Sequence, residues 1–178
     1  MAPTVLVTGF GPFGKTADNP SAALAAGCGA PHRVLEVSWD AVDEWLASGE
    51  PDKYDVLIHL GFALRRQLTP EIFGRNNIGK TPDVRGVARM GKIEADGPAV
   101  AGSTLWTPTL LAKLMPERRL KVSVNAGGYL CNYICYRSIR RFPGKRIGFL
   151  HVPSFEQVPE VEQLRVLGAV LTSLDPSG

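Results

Sequence analysis

Short apolar runs alternate along the chain with longer segments in which apolar residues recur at helical spacing. The runs are rich in valine, leucine and isoleucine, which is typical of strands buried on both faces of a parallel sheet. They predict strands over residues 4–8, 33–37, 56–60, 121–124 and 146–150. The segments between them predict helices over residues 20–26, 41–47, 107–114, 129–141 and 158–174. The alternation predicts an α/β protein: a three-layer α/β/α sandwich around a mostly parallel, open sheet.

One region departs from this alternation. Residues 65–104 are rich in glycine, arginine and proline and have little helical period, so we expect hairpins and irregular loops at one edge of the sheet. The chain has 178 residues, and it shows neither an internal repeat nor a long linker. We therefore predict a single domain that spans residues 1–178 and is large enough to form its own core.

Composition excludes several classes of protein. A formal net charge of +3 argues against a dedicated nucleic-acid binder, and no apolar run approaches the ~20 residues that span a bilayer. The three cysteines cannot all pair, so no disulfide framework is implied. The residues after Met1 lack the basic and apolar regions of a signal peptide. We therefore expect a reducing, cytoplasmic setting.

A glycine-rich loop follows the first predicted strand. Gly9, Gly11 and Gly14 have the G-x-G-x-x-G spacing of a dinucleotide fingerprint, and Glu36 lies where the ribose partner is expected. A pyrophosphate, however, requires free N–H groups at a helix that begins within the loop. Pro12 removes one of those donors, so we disfavour a nucleotide site.

The two phenylalanines of this loop suggest a different ligand. Phe10 and Phe13 suit an apolar ring better than a phosphate, and they predict an aromatic-walled pocket at the carboxyl end of a strand. The alternative is a tight turn whose phenylalanines lie in the core. Asn19, followed by a proline, marks the start of the next helix beyond the loop.

Cys131 is the best candidate for a nucleophile. It follows a predicted strand and the pair Gly127 and Gly128, which places it in the first turn of a helix. Free N–H groups and the helix dipole stabilise a thiolate there, and the glycines permit the close approach that an oxyanion site needs. Cys135, one turn later, is expected to be a buried apolar residue, and Cys28 a loop residue.

A thiol nucleophile benefits from a base, for which histidine is the first choice. His151 lies at the carboxyl end of the last predicted strand, where sites assemble in parallel sheets. His32 is expected in a polar loop and His59 in the core. A third group should orient the imidazole. Glu71 is one candidate, and the candidates that rival it are Asp83 and Glu94.

Three segments together resemble the pyroglutamyl peptidase I (pyrrolidone-carboxyl peptidase) family of cysteine peptidases. Residues 5–14 with 19–21 are similar to its N-terminal signature, and residues 126–132 resemble its nucleophile motif. Residues 148–153 are similar to its histidine motif. The motifs stand in the family's order within one predicted domain.

The resemblance implies an open α/β/α sandwich and a role for each candidate residue. Cys131 would be the nucleophile, His151 the base and later the acid, and Glu71 the group that orients the histidine. Glu71 gains support from Asn76, since the family has glutamate and asparagine at that spacing. Phe10, Phe13 and Asn19 would form the substrate site.

The same resemblance implies a hydrolase that removes N-terminal pyroglutamate (5-oxoproline) from peptides. Its members need no metal or other cofactor, and bacterial members are often homotetramers. The expected partner is thus a peptide with an N-terminal pyroglutamate, without nucleic acid or membrane. Two alternatives remain open at this point. One is a thiol hydrolase of another acylated or lactam substrate, and the other is a non-catalytic relative that binds capped peptides.

The sequence departs from the family after the third predicted strand. Members usually read Gly-x-Ala-Gly-Gly-Arg, whereas residues 61–66 read Gly-Phe-Ala-Leu-Arg-Arg. The segment with Glu71 lies one residue closer to Gly61 than expected. The family also has an arginine near the nucleophile, for which Arg85 is a candidate. These changes motivate the alternative substrate class.

Overall fold

The apolar runs form the strands of a central sheet in a computed structural model, which describes residues 1–14, 16, 18–114 and 116–175. The strands are β1 (Val5–Phe10), β2 (His32–Leu35), β3 (Val56–Phe62), β4 (Thr69–Glu71), β5 (Phe73–Arg75), β6 (Val100–Gly102) and β7 (Arg146–Val152). The helices are α1 (Pro20–Gly27), α2 (Trp39–Ala47), α3 (Pro108–Leu114), α4 (Leu130–Arg141) and α5 (Glu160–Thr172).

The central sheet is mostly parallel. Within the described ranges its strand order is β2-β1-β3-β7-β4, in which only β4 runs antiparallel, against β7. The carboxyl ends of β1, β3 and β7 therefore meet at one edge of the sheet. Short apolar strands of this kind need cover on both faces.

Helices supply that cover, since side chains alternate between the two faces of each strand. Val7, Ile58 and Leu150 pack with residues of α1, α3 and α5. Their neighbours Leu6 and Phe149 pack on the opposite face with residues of α2 and α4. The predicted three-layer α/β/α sandwich is confirmed.

The predicted strand over residues 121–124 is wrong. This segment makes only isolated parallel bridges to the chain around β4. The N–H of Lys121 donates to the carbonyl of Leu68, and the N–H of Ser123 donates to the carbonyl of Pro70. Pro70 has no N–H to return to the segment, so the ladder is interrupted at its centre. A proline in the partner strand thus prevented a regular sixth strand.

The region of residues 65–104 contains β4, β5 and β6. β4 is an antiparallel edge strand of the sheet, while β5 and β6 make a separate antiparallel ladder joined by a long connection. Gly74 in β5 faces α4 so closely that a Cβ would lie 2.6 Å from the backbone nitrogen of Tyr136. Glycine here lets the small ladder pack against the helix that bears Cys131.

Candidate active site

A cavity of about 210 Å³ opens at the carboxyl edge of the sheet. It is smaller than the sites of drug-sized ligands, and its size suits one small ring. Cys131 and His151 both line it, together with Phe10 and Phe13. The remaining lining residues are Asn19, Val37, Phe62, Ala126, Gly127, Gly128, Tyr129 and Leu130.

Cys131 lies in the first turn of α4, as predicted, and its side chain is half-buried. Gly127 adopts a φ of +85°, a left-handed conformation that glycine tolerates at little cost, and so turns the chain into the helix. A neighbouring segment fixes this glycine loop, because the N–H of Gly79 donates to the carbonyl of Gly128 at 2.7 Å. The N-cap residue Tyr129 has extended backbone, and its hydroxyl donates to the carbonyl of Pro82.

The floor beneath the thiol is Gly61, near the end of β3. A Cβ at this position would lie 2.8 Å from Sγ of Cys131 and 2.5 Å from the ring of Phe149. Both separations are far below ordinary van der Waals contact. The approach of the nucleophile to the sheet therefore depends on glycine at position 61.

His151 lies near the end of β7 and is almost fully buried. Its Nδ1 lies 2.8 Å from Oε1 of Glu71. Burial disfavours the charged imidazolium, but the interactions with Cys131 and Glu71 outweigh it and raise the pKa of His151 to about 9. The cavity therefore combines a thiol with an imidazole that holds its proton at neutral pH.

Glu71 reaches this histidine because β4 pairs with β7, in a register that places Thr69 opposite His151. The carboxylate is fully buried, which disfavours its charge. Hydrogen bonds involving His151 and Ser123, with the charges of His151 and Arg65, outweigh burial and lower the pKa of Glu71. The N–H of Asn125 also donates to Oε2, at 3.1 Å.

The aromatic wall is anchored by Asn19. Its Nδ2 donates to the carbonyl of Gly11 at 2.8 Å, while its Oδ1 caps α1 by accepting from the N–H of Ser21. Asn19 thus fixes the loop that carries Phe10 and Phe13 against the start of α1. The same side chain occupies the helix end at which a pyrophosphate would have bound.

The structure separates Glu71 from its rivals. The carboxylate of Asp83 accepts from the N–H of Trp39 at the start of α2. Glu94 pairs with Arg140 at 3.1 Å. Within the described part of the chain, the carboxylate that contacts the His151 imidazole is that of Glu71.

The other histidines and cysteines are absent from the described residues that line the cavity. His32 is exposed, and His59 is buried with its Nδ1 2.8 Å from the Thr8 hydroxyl. Burial lowers the pKa of His59 to about 3. Cys135 is fully buried, which raises the pKa of its thiol, and the Cys28 thiol donates to the Ala25 carbonyl.

Asn76 and Arg85 have structural contacts. The side chain of Asn76 bonds to the backbone of Glu94 and Gly97 and so holds the long connection between β5 and β6. Arg85 pairs with Glu36 on the surface. Arg85 is absent from the described residues that line the cavity, so it does not occupy the place expected for an arginine near the nucleophile.

Sequence reasoning missed Phe62 and Arg65, both in the segment that departs from the family pattern. The ring of Phe62 lies 6.4 Å from that of Phe13, inclined by 52°, and extends the aromatic wall. Arg65 contacts the Glu71 carboxylate. The departure itself was the signal, but a changed loop does not reveal where its side chains point.

Comparisons with known proteins agree with this geometry. The sequence profile of the pyroglutamyl peptidase family matches residues 3–166. The chain belongs to the pyroglutamyl peptidase family. This membership makes it a cysteine-type peptidase, in agreement with a thiol and an imidazole in one cavity.

Relatives in the pyroglutamyl peptidase family match most of the chain. The pyrrolidone-carboxylate peptidase of Pyrococcus furiosus is 36% identical over 172 residues, which cover 84% of this chain and 80% of the relative. That of Lactobacillus acidophilus is 30% identical over 171 residues, covering 84% and 82% respectively.

Solved structures of the pyroglutamyl peptidase family show the same fold. Pyrrolidone carboxyl peptidase from Thermococcus litoralis has a TM-score of 0.84 and 28% identity, covering 97% of this chain and 93% of that one. The enzyme from Thermus thermophilus has a TM-score of 0.82 and 32% identity, with coverage of 94% and 98%.

Across the described ranges, no helix is both long and apolar enough to cross a bilayer.

Proposed function

We propose that the protein hydrolyses the amide bond that follows an N-terminal pyroglutamyl residue of a peptide, with Cys131, His151 and Glu71 as its catalytic group. The observation that carries this proposal is that a thiol and a buried imidazole–carboxylate pair lie together at a small aromatic-walled cavity. Membership of the pyroglutamyl peptidase family supports the substrate class.

The cavity suits the cyclised residue. A pyroglutamyl group has no free α-amine, so its recognition cannot depend on a salt bridge to an ammonium group. Phe10, Phe13 and Phe62 offer an apolar surface to the ring, and Asn19 holds the loop that bears two of them. An apolar slot with a few polar groups is the usual solution for such a ligand.

The chemistry is acyl transfer through a thioester. His151 carries the proton before the reaction, and the thiolate sulfur of Cys131 attacks the pyroglutamyl carbonyl to form a tetrahedral oxyanion. N–H groups in the first turn of α4 are positioned to stabilise that charge. His151 then protonates the leaving amine as the C–N bond breaks. Water, deprotonated by the now neutral His151, hydrolyses the thioester, which releases pyroglutamate and restores the thiolate beside the protonated imidazole.

Glu71 orients the imidazole in this scheme. Its Oε1 lies beside Nδ1 of His151, which leaves the other ring nitrogen for proton transfer to and from the reacting groups. The carboxylate also stabilises the imidazolium that forms when the thiol is deprotonated. Both effects act through His151.

The test is hydrolysis of a fluorogenic pyroglutamyl amide by wild type, Cys131→Ala and Cys28→Ala. We expect cleavage by wild type and Cys28→Ala, and loss of turnover in Cys131→Ala with an unchanged melting temperature. Retained hydrolysis by Cys131→Ala would remove the assigned nucleophile. Prolyl and glutamyl amides measured in parallel test the substrate, because equal rates on all three would contradict a pyroglutamyl specificity.

We also propose that residues 1–178 act as one catalytic domain in the cytoplasm, assembled as a homo-oligomer. Both layers of helices cover the same central sheet, which supports one domain. Three unpaired cysteines fit a reducing compartment. Light scattering of the purified chain measures the assembly, and a monomeric mass at assay concentration would contradict it.

A further inference from the structure

Arg65 lies in the loop after β3, between the catalytic carboxylate and the loop that leads to the nucleophile. Its Nη2 is 3.4 Å from Oε1 of Glu71, the oxygen that also contacts Nδ1 of His151. The same Nη2 donates to the carbonyl oxygen of Asn125 at 3.2 Å. The guanidinium thus bridges Glu71 and Asn125, which are 54 residues apart in the sequence.

Asn125 closes a ring of contacts with these groups. Its N–H donates to the other carboxylate oxygen of Glu71, and its side-chain oxygen accepts from the N–H of Gly127 at 3.1 Å. Gly127 makes the turn into α4, where Cys131 stands. Arg65 therefore contacts both the group that orients the base and the loop that positions the nucleophile.

We propose that Arg65 is a positioning residue of this peptidase, which holds Glu71 and the loop of residues 125–128 in a fixed relation. It acts through Glu71 and Asn125 rather than on the substrate. The proposal rests on the function proposed above and deepens it. It also gives a role to the segment of the chain that departs from the family pattern.

The chemistry of arginine fits this task. A guanidinium presents several N–H donors in a fixed plane, so it can hold a carboxylate and a carbonyl together in one geometry. The side chain is 39% exposed, and its charge is partly screened by solvent. We therefore expect a modest electrostatic effect that is added to a geometric one.

The charge has a predictable influence on His151. The titratable or charged groups that face the Glu71–His151 pair within the described residues are Cys131 and Cys135 on α4 and Arg65. Removal of the positive charge of Arg65 makes the surroundings of the imidazole more negative. The pKa of His151 should then rise, and the alkaline limb of the rate profile should move to higher pH.

The experiment compares Arg65→Gln, Arg65→Lys and the control Arg66→Gln by kcat, KM and their pH dependence. Arg66 is the adjacent arginine; it is exposed, and the described residues provide no side-chain partner for it. For Arg65→Gln we expect roughly tenfold lower kcat with little change in KM. The alkaline limb of the pH–rate profile should move to higher pH by roughly half a unit. Arg66→Gln should match wild type in all three.

Arg65→Lys separates the effect of the positive charge from the effect of the planar guanidinium. Lysine keeps the positive charge, so the alkaline limb should return to the wild-type pH, while kcat recovers only in part. A purely structural loop residue would lower the melting temperature and the amount of active enzyme without moving the limb. That outcome, or equal behaviour of Arg65→Gln and Arg66→Gln, would overturn the proposal.

Alkylation of Cys131 by iodoacetamide gives a readout that needs no substrate. In Arg65→Gln the alkylation rate at neutral pH should fall relative to both wild type and Arg66→Gln, because the nucleophile loop loses one support. If wild type alkylates rapidly but does not cleave the pyroglutamyl amide, the proposed substrate is wrong. Slower alkylation of Arg65→Gln would then still support the positioning role of Arg65. If wild type cleaves and the Arg65 variants alkylate like wild type, the positioning role fails alone.

Discussion

Oε1 of Glu71 lies 2.8 Å from Nδ1 of His151, although eighty residues separate the two along the chain. The edge strand β4 makes this contact possible, because its antiparallel pairing with β7 aligns the two side chains at one end of the sheet. Both groups are buried, so the carboxylate acts on the imidazole with little screening by solvent.

Glu71→Gln should lower kcat by roughly a hundredfold or more, because the imidazole loses its orienting carboxylate. The negative charge near His151 also disappears, so the pKa of His151 should fall from about 9. The alkaline limb of kcat/KM should move to lower pH, opposite to the shift expected for Arg65→Gln. A pH–rate profile measures both, with the exposed Glu156→Gln as the control. An unmoved limb would contradict the coupling.

Phe62→Ala should weaken substrate binding more than it slows the chemistry. The ring of Phe62 lines the cavity and lies 6.4 Å from the ring of Phe13, so its removal opens one wall of the pocket. We expect KM for a pyroglutamyl amide to rise by roughly tenfold, since an aromatic contact surface is lost. Leu64→Ala is the matched control in the same loop, because Leu64 is 93% exposed. Equal KM values for the two variants would exclude Phe62 from the binding site.

Stability below neutral pH should depend on His59. Burial lowers its pKa to about 3 in the folded protein, whereas the ordinary value is 6.5. The unfolded chain therefore takes up a proton as the pH falls below 6.5, and the folded chain does not. His59 should reduce the free energy of unfolding by about 1 kcal/mol for each pH unit in that range.

Urea unfolding between pH 4 and pH 8 measures this contribution as a difference between wild type and His59→Gln. His151 has the opposite sign, because its raised pKa contributes stability that is lost as the pH rises from 6.5 towards 9. The subtraction removes that background. The exposed His32→Gln should keep the wild-type slope, and a His59→Gln slope equal to wild type would show that His59 is protonated in the fold.

Gly61→Ala should damage the site as well as the fold. The new methyl group would lie 2.8 Å from Sγ of Cys131 and 2.5 Å from the ring of Phe149. We expect a loss of about 1–3 kcal/mol in stability from overpacking, together with lower kcat per folded molecule. Gly148→Ala is the control, since its Cβ would meet Leu105 at 2.7 Å in the core on the other face of the sheet. Thermal melts and active-site titration distinguish the two, and wild-type kcat in folded Gly61→Ala would contradict the prediction.

Sequence pattern was sufficient where a segment carries its own signal. The Asn19 cap and the proline after it marked the start of α1, and the apolar run of β3 marked a strand buried on both faces. The segment of residues 121–124 failed because its neighbour decides its state. Pro70, far earlier in the chain, lacks the N–H that a continuous ladder needs.

The site followed the same division. Cys131 and His151 stand next to local signals, a glycine turn and a strand end, so sequence indicated both. Glu71 needed the resemblance, since a carboxylate in a loop segment is equally compatible with solvent. Phe62 and Arg65 became visible only with the register of β4 and the course of the loop after β3. Long-range contacts of this kind leave no periodic trace in the sequence.

The position of β7 between β3 and β4 has a consequence for biosynthesis. β3 and β4 are synthesised before β7, but they do not pair with each other. β7 lies between them in the sheet and pairs with both. A nascent chain on the ribosome therefore carries Glu71 and then Cys131 before the strand that bears His151 has emerged. The catalytic group can assemble only after β7 has left the ribosome. A growing chain of this protein should thus have no peptidase activity until β7 has been released and has paired with β3 and β4.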